Sequence, residues 1–168
     1  MMRAGGLAAS SIMAALVCVA TIFIIVPIPA TQGYFNVGDA MVMVAALTFG
    51  PLVGAAAGGI GSSLADIIMG YSFFAPYTLV IKGLEGLLAG WIYSRWKERG
   101  RLMILLAWLA GGTVMVTGYF VVEYSILGYG AGAFVELPFN MVQMAVAGIV
   151  GIPVSMALKK RIRIYRAT

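Results

Sequence analysis

Long apolar runs dominate the chain, and short segments rich in glycine, proline or charge separate them. A helix that crosses a membrane needs roughly 20 predominantly apolar residues, within a range of about 17 to 25. Pro27 and Pro29 end the first run because proline interrupts a helix, and the second run is unusually short. We therefore predict an all-α fold, a single-domain integral membrane bundle over residues 1–168 with six transmembrane helices at 7–26, 36–49, 52–69, about 77–93, 102–127 and 138–158.

The composition agrees with a membrane protein and removes several classes of function. Hydrophobic residues make up 62% of the 168 residues, charged residues only 10%, and the mean hydropathy is +1.00. A soluble domain carries about 25% charged residues. The chain contains no histidine, which excludes a Ser-His-Asp hydrolase and a zinc site built on histidine. Cys18 is its single cysteine, so no internal disulfide forms, and we expect neither a metal nor a cofactor.

Basic residues are distributed so that they predict the orientation of the bundle. They cluster in segments 95–101 and 159–166, whereas the predicted connections 27–35, 70–76 and 128–135 contain no lysine or arginine. Basic residues beside membrane spans stay on the cytoplasmic side. We therefore predict a multi-pass protein of the cell membrane with both termini cytoplasmic. The positive charge then reflects topology in the lipid bilayer, and nucleic acid is not an expected partner.

Ionisable and amide side chains interrupt the apolar runs in one layer beneath the predicted outer surface. An ionised residue costs about 2.5–3.5 kcal/mol at a helix centre, so such residues usually mark a binding site or a transport pathway. Lys82 is predicted to pair with Asp66 or Glu85, either within a site or as a structural staple between helices. For Glu123 and Glu136 the alternative is contact with headgroup water. The layer comprises Asp39, Asp66, Lys82, Glu85, Glu123, Glu136, Asn140 and Gln143.

Aromatic residues surround the same layer. Interfacial tyrosines are commonly membrane anchors, but apolar walls with a few placed polar groups are also typical of small-molecule pockets. Segment 27–36 is predicted to cover or line such a pocket. Because acids outnumber Lys82 here, a neutral or cationic ligand is favoured over a doubly anionic one. The candidate substrate-binding residues are Asn36, Asp39, Asp66, Tyr77, Lys82, Glu85, Tyr119, Glu123, Asn140 and Gln143.

Small residues recur at helical spacing on two of the predicted helices. Stripes of this kind let a second helix approach closely. On the third helix, Gly54, Gly58 and Gly61 predict packing within the bundle. On the first helix the spacing leaves open whether the stripe faces a neighbouring helix or a separate protein. That stripe consists of Ala4, Ala8, Ser11, Ala15 and Cys18.

Three motifs give the chain a resemblance to a known family. They read NVGD (36–39), FGP..G...GGIGS.LAD (49–66) and KGLEG (82–86). With them, and over nearly its whole length, the chain resembles the S components of energy-coupling factor (ECF) vitamin transporters. The branch is the one associated with riboflavin, hydroxymethylpyrimidine and pyridoxine. The motifs are specific for the family and much weaker for the ligand.

The resemblance implies a high-affinity vitamin-binding subunit that does not hydrolyse ATP itself. Members of this family dock on a transmembrane coupling protein that carries two ATPases, and they are thought to topple in the membrane to release their ligand inside. Their binding sites lie near the outer face, between the segment after helix one and helices four to six. Docking uses an Ala-x-x-x-Ala pattern in helix one. Here Ala4 and Ala8 match it literally, and Ser11 and Ala15 form a deeper pair.

Two other classes of function are weighed against a substrate-capturing subunit. A membrane enzyme that binds a divalent metal through paired acids is disfavoured because neither D-x-x-D nor E-x-x-E occurs and Lys82 would repel the ion. A self-sufficient facilitator or channel needs a polar path through the inner half. There the predicted helices are apolar, with Trp91 and Trp108 as bulky residues. This one-sided polarity favours a site that is open outside and needs a partner to complete transport.

Overall fold

Six helical rods form the bundle in the part of the chain that the structure describes. This computed structural model describes residues 4–29 and 31–167, except for the side chains of Ala4, Lys97 and residues 163–167. The α6 helix continues through a π-helical turn at Ala147–Gly151 into α7, so these two make one rod. The predicted all-helical bundle is confirmed. The helices are α1 (Ala4–Phe23), α2 (Gly38–Phe49), α3 (Pro51–Ile68), α4 (Ala75–Trp96), α5 (Arg101–Val121), α6 (Ala133–Val146) and α7 (Ile152–Ala167).

A β-hairpin follows α1 and corrects the predicted end of the first helix. The helix was expected to reach residue 26, but α1 ends at Phe23, and strand β1 (Ile25–Ile28) pairs antiparallel with β2 (Gly33–Asn36). Pro27 prevents a helix here, whereas an edge strand tolerates it. The segment predicted to cover the pocket therefore contributes to two paired β-strands, which the sequence pattern did not indicate. Its end of the bundle is called the hairpin end below.

The short helix α2 lies at the centre of the bundle. Its 12 residues span about 18 Å, against roughly 30 Å for the hydrocarbon layer, and most of them are buried. The first residues of α2, Gly38, Asp39 and Ala40, are buried, so the helix starts inside the protein. Asp39 in its first turn is thereby placed in the interior, where the helix dipole favours an acidic group.

Two neighbouring helices, α3 and α4, pack most extensively against each other, and glycines permit their approach. A Cβ added at Gly54 would lie 2.6 Å from the carbonyl oxygen of Gly86, and one at Gly58 would collide with the carbonyl of Lys82. Gly61 faces the other way, since an added Cβ would lie 2.5 Å from the carbonyl of Ala14 on α1. The predicted role of these glycines in internal packing is confirmed.

Length and composition mark four helical stretches of the described residues as membrane spans: Gly5–Phe23, Pro51–Ile68, Arg101–Ile126 and Gly130–Ile162. The α4 helix is also long enough, at 22 residues, but it contains Lys82 and Glu85. The predicted start of the last helix at residue 138 is wrong. That helix starts at Ala133, and Pro138 lies inside it.

Candidate functional site

A polar cavity lies at the hairpin end, between the hairpin and helices α1, α3, α4, α5 and α6. Its enclosed volume is about 20 Å³, which is room for roughly one water molecule. Its lining is mostly polar, with hydroxyl, amide, carboxyl and ammonium groups that converge beside three aromatic rings. The lining residues are Thr21, Gly33, Tyr34, Asn36, Ser62, Asp66, Phe74, Thr78, Lys82, Tyr119, Glu136, Asn140 and Gln143.

Lys82 is the basic residue of the cavity lining, and its ammonium group pairs with two carboxyl groups. Its Nζ donates to Oδ1 of Asp39 and lies 3.6 Å from Oε2 of Glu85, one turn along α4. All three side chains are at most 2% exposed. The predicted partner Asp66 is replaced by Asp39 because α2 begins in the interior beside α4. Removing one member of such a buried ion pair strongly destabilises a folded protein, because the other charge is left buried without a partner.

Gln143 connects the ion pair to the hairpin. Its Nε2 donates to Oδ2 of Asp39 at 2.8 Å, and its Oε1 accepts the backbone N–H of Asn36 at 2.9 Å. The side chain of Asn36 in turn accepts the backbone N–H of Gly38 at 2.9 Å. One amide thus joins α6, α2 and β2. The predicted meeting of Asn36, Asp39, Lys82 and Gln143 is present in the structure.

Asp66 has a different partner, the phenol of Tyr34 on β2. The Tyr34 hydroxyl donates to Oδ1 of Asp66 at 2.5 Å, and its ring packs on Tyr71 with centroids 4.7 Å apart. Burial, and then the negative charge of Asp66, raises the pKa of the Tyr34 phenol above its ordinary value, so it remains a donor at neutral pH. This contact ties the hairpin to α3.

Tyr119 forms an aromatic wall beside Lys82. The Lys82 Nζ lies 5.5 Å from the centre of the Tyr119 ring, within the range of a cation–π contact. The Tyr119 hydroxyl and the Thr78 hydroxyl lie 3.0 Å apart in a hydrogen bond. A flat ring that entered the cavity would meet this face.

At another part of the lining, Glu136 is tied to the hairpin. Thr31 donates its hydroxyl to Oε2 of Glu136, and a Cβ added at Gly33 would lie 2.6 Å from the same oxygen. The carboxyl group of Glu123, in the π-helical turn Val122–Ile126 that follows α5, is its neighbour. Glu136 is 4% exposed and Glu123 is 0% exposed. The alternative that these acids reach headgroup water is therefore wrong for the structure.

Asn140 presents an amide to the cavity without a hydrogen bond among the described residues. It lies one helical turn after Glu136 on α6, lines the cavity and is 5% exposed. Ser62 also lines the cavity, and its buried hydroxyl finds no partner in the described part of the chain. Leaving a buried polar group unpaired costs about 1–3 kcal/mol, so such groups are suited to a ligand that pairs with them.

The predicted site residues divide into three groups. Asn36, Asp66, Lys82, Tyr119, Asn140 and Gln143 line the cavity. Asp39, Glu85 and Glu123 lie outside the lining and contact or neighbour residues within it. Tyr77 does not line the cavity and packs instead against the apolar cluster of Ile81, Met115 and Val122.

Three hydroxyl residues of the lining were missed, namely Thr21, Ser62 and Thr78. Serine and threonine in apolar helices often bond to their own backbone, as Thr21 does to the Val17 carbonyl at 2.8 Å. Their position in the sequence therefore carried no signal. Glu136 was noted in the polar layer but was not included among the candidate site residues.

Away from the hairpin end, the core beneath the cavity is apolar. Successive turns of α2 after Asp39 place Met43 and Ala46 against Ala89, Ala147 and Trp108. The next residue of α2, Leu47, packs with Ile104 and Ala107. Because the core beneath it is apolar, the cavity does not continue as a polar path through these layers of the described bundle.

The predicted docking stripe on α1 faces outward over most of its length. Ala8, Ser11 and Ala15 are exposed, whereas Cys18 is buried. The side chain of Ala4 lies outside the described part of the chain. Exposure of three small residues on one helix leaves room for a separate helix to approach them.

The fold and the cavity define a class, a small multi-pass membrane protein with a polar binding cavity at one end. The chain belongs to the family of S components of ECF-type riboflavin transporters, whose model matches residues 3–160. It is therefore a vitamin-binding membrane subunit of an ECF transporter, in a family of substrate-binding transport components, and the self-sufficient facilitator is not favoured. Like the family, it works with the partners of an ECF module.

The chain is also similar to individual proteins and to a solved structure. The chain is 50% identical over 147 residues to an uncharacterized protein of Pyrococcus woesei, covering 87% of this chain and 96% of that protein. It is 35% identical over 121 residues to the thiamine precursor transporter HmpT of Lactococcus lactis, covering 71% and 67%. The solved S component of a bacterial ECF transporter has the same fold, with a TM-score of 0.70 at 20% identity over 99% of this chain and 100% of that chain.

Proposed function

We propose that the cavity at the hairpin end captures a vitamin or vitamin precursor from outside the cell and presents it to an ATP-driven module. The observation that carries this proposal is Asn140, a buried residue whose amide has no partner in the described part of the chain and which lines a polar cavity with an apolar core beneath it. Lys82 and Gln143 set the polarity of one part of the lining, and Tyr119 offers a face for stacking. Asn140 supplies the free hydrogen-bonding group.

Ligand entry requires the hairpin end to open. A cavity of about 20 Å³ holds roughly one water molecule, far less than a vitamin ring. The hairpin is held over the cavity by Tyr34 on Asp66 and by Thr31 on Glu136. We infer that these contacts separate when ligand enters and form again around it. Hydrogen bonds between side chains can exchange in this way without disturbing the helical bundle.

The proposed orientation places both termini in the cytoplasm of the cell and the hairpin end outside. The basic clusters at 95–101 and 159–166 lie at the opposite end from the hairpin, in agreement with the distribution expected for cytoplasmic segments. In this orientation the cavity faces the external medium. The proposed partners are a transmembrane coupling protein and two ATPase subunits, with the exposed residues Ala8, Ser11 and Ala15 on α1 as part of the docking surface.

The test is ligand capture by the purified protein. Small molecules released by denaturation are identified by mass spectrometry, and binding of riboflavin, hydroxymethylpyrimidine, thiamine and pyridoxine is measured by titration calorimetry. We expect one such compound to bind, and Asn140→Ala and Lys82→Ala to weaken it. Ser125→Ala is the matched control because Ser125 is exposed at the same end. A well-folded protein that releases and binds none of these compounds would contradict the proposal.

A further inference from the structure

Glu123 and Glu136 form a pair of adjacent carboxyl groups in the interior. Lys82 pairs with Asp39 and Glu85, so it does not account for this second pair of acids. Glu136 lines the cavity, and Glu123 is its neighbour from the turn after α5. Neither carboxyl oxygen of Glu123 finds a hydrogen-bond donor among the described residues. Two ionised carboxylates repel and cannot donate to one another, so the pair either shares a proton, which still leaves one negative charge, or needs a positive charge from elsewhere.

The protein supplies no cation to this pair within the described residues. Lys82, the one basic residue of the cavity lining, is already held by Asp39 and Glu85. The connections at the hairpin end, 27–35, 70–76 and 128–135, contain no lysine or arginine. The hydroxyl of Thr31 satisfies one oxygen of Glu136 but brings no charge.

A second observation points to a ligand at the same place. Asn140 lies four residues after Glu136 on α6, so both side chains project from one face of the helix. Asn140 is 5% exposed and lines the cavity, and its amide makes no hydrogen bond among the described residues. A buried amide beside a carboxyl pair provides one group for charge and one for orientation.

The geometry is unsuited to a metal ion. No group of three or more acidic, histidine or cysteine side chains that could hold a metal occurs among the described residues. Hard cations such as Mg²⁺ and Ca²⁺ take six or more oxygen ligands, and a cavity of about 20 Å³ has no room for the waters that would have to complete such a set beside two carboxyl groups and one amide. The complementary partner is therefore an organic cation, whose N–H groups need only a few acceptors.

We propose that the ligand of this cavity carries a cationic nitrogen, an amine or an amino-substituted nitrogen heterocycle, which binds to Glu136 with Glu123 supporting the charge and Asn140 orienting the ring. This inference rests on the proposed function and specifies the chemical class of the captured molecule. A charge-assisted hydrogen bond is roughly twice as strong as a neutral one, so the pair would select strongly for the cationic member of two similar compounds.

The test uses probe pairs that differ at one nitrogen. Pyridoxamine is compared with pyridoxine, and 4-amino-5-hydroxymethyl-2-methylpyrimidine with its 4-oxo analogue, each titrated into the full-length protein in detergent. In one of these pairs we expect the amino compound to bind at least about tenfold more tightly than its hydroxyl or oxo counterpart, since charge-assisted hydrogen bonds are stronger than neutral ones. In Glu123→Gln and Glu136→Gln this selectivity is expected to fall several-fold. Glu98→Gln is the matched control, because Glu98 is exposed at the other end.

The outcomes separate the two proposals. The proposal of a cationic ligand would be overturned if the hydroxyl and oxo compounds bound as tightly as the amino compounds or more tightly. It would also be overturned if the protein selectively bound neutral riboflavin and Asn140→Ala weakened that binding. Either result would still support the capture of a vitamin. Absence of binding by every probe, with no small molecule released, would overturn both. If a glutamine variant does not fold, the selectivity of the unaltered protein still decides the question, and unchanged selectivity in folded variants would count against the carboxyl pair.

Discussion

The amide of Gln143 on α6 donates to the carboxylate of Asp39 on α2 at 2.8 Å, and this bond lies at the centre of the polar network. The two residues are 104 positions apart in sequence. On one side Asp39 accepts from Lys82, and on the other Gln143 accepts from the backbone of Asn36 at the end of the hairpin. The charge beneath the cavity and the strand above it are therefore connected through one side-chain pair.

Loss of the Asp39 charge is expected to destabilise the protein. In Asp39→Asn the buried ammonium of Lys82 keeps only Glu85, at 3.6 Å, as an acidic partner. Breaking a buried ion pair on one side costs about 3–5 kcal/mol, so unfolding should occur at clearly lower denaturant concentration. The measurement is chemical unfolding in detergent, with Glu98→Gln as the control that removes an exposed acid. Equal stability of the two variants would show that the pair contributes little.

Removal of the Tyr34 hydroxyl is expected to loosen the hairpin without unfolding the bundle. Tyr34→Phe keeps the ring contact with Tyr71 but loses the hydrogen bond to Asp66. Hydrogen bonds to charged groups contribute about 1.5–3 kcal/mol, so bound ligand should dissociate roughly tenfold faster or more. Stopped-flow measurement of dissociation tests this.

The control for this variant is Tyr71→Phe, because the Tyr71 hydroxyl makes no hydrogen bond within the described residues. Since the pKa of the Tyr34 phenol is raised above its ordinary value, its bond is retained at neutral pH and would be lost only as the pH rises above that value. The difference between the two variants should therefore be the same at about pH 6 and about pH 8. Equal dissociation rates for Tyr34→Phe and Tyr71→Phe, at either pH, would contradict a latch at Tyr34.

A methyl group at Gly86 is expected to separate α3 from α4. An added Cβ there would collide with the backbone of Gly54, whereas one at Gly83, on the same helix, would meet nothing closer than 3.7 Å. Overpacking costs typically about 1–3 kcal/mol, so Gly86→Ala should unfold at a lower temperature. Gly83→Ala is the matched control and should be neutral or slightly stabilising because alanine favours helix. Thermal unfolding in detergent gives the comparison, and equal effects would contradict the close packing described here.

A large side chain in the α1 stripe is expected to block transport while leaving capture intact. Ala15 is exposed and lies outside the cavity lining, so Ala15→Leu should bind ligand like the unaltered protein. If the stripe is the docking surface, close helix approach fails and uptake by cells that contain the complete transporter should fall roughly tenfold. Thr113→Leu, a similar change at an exposed residue of α5, is the control. Normal uptake by Ala15→Leu would place the docking contact elsewhere.

Much of the fold and part of the site were predictable from local patterns. The helices could be predicted from the long apolar runs, because the length and hydrophobicity of a run are local properties. The same is true of the spacing of glycines on α3 and of the distribution of basic residues beside the spans. Asn36, Lys82, Tyr119, Asn140 and Gln143 were expected in one site, and they line one cavity. The hairpin was missed because its prolines indicated only the end of a helix. The hydroxyls of Ser62 and Thr78 gave no signal, since such residues are common in helices that line nothing.

The sequence by itself determined that the chain enters a membrane, how many helices it forms and which polar residues lie near one end, because hydrophobicity and helix length decide these properties locally. Only the tertiary structure decided which polar side chains pair with each other. Lys82 binds Asp39 rather than Asp66, and Glu123 meets Glu136, because α2 starts in the interior and because each helix has a particular rotation about its axis. The depth and rotation of a helix depend on packing between distant segments, which no local pattern encodes.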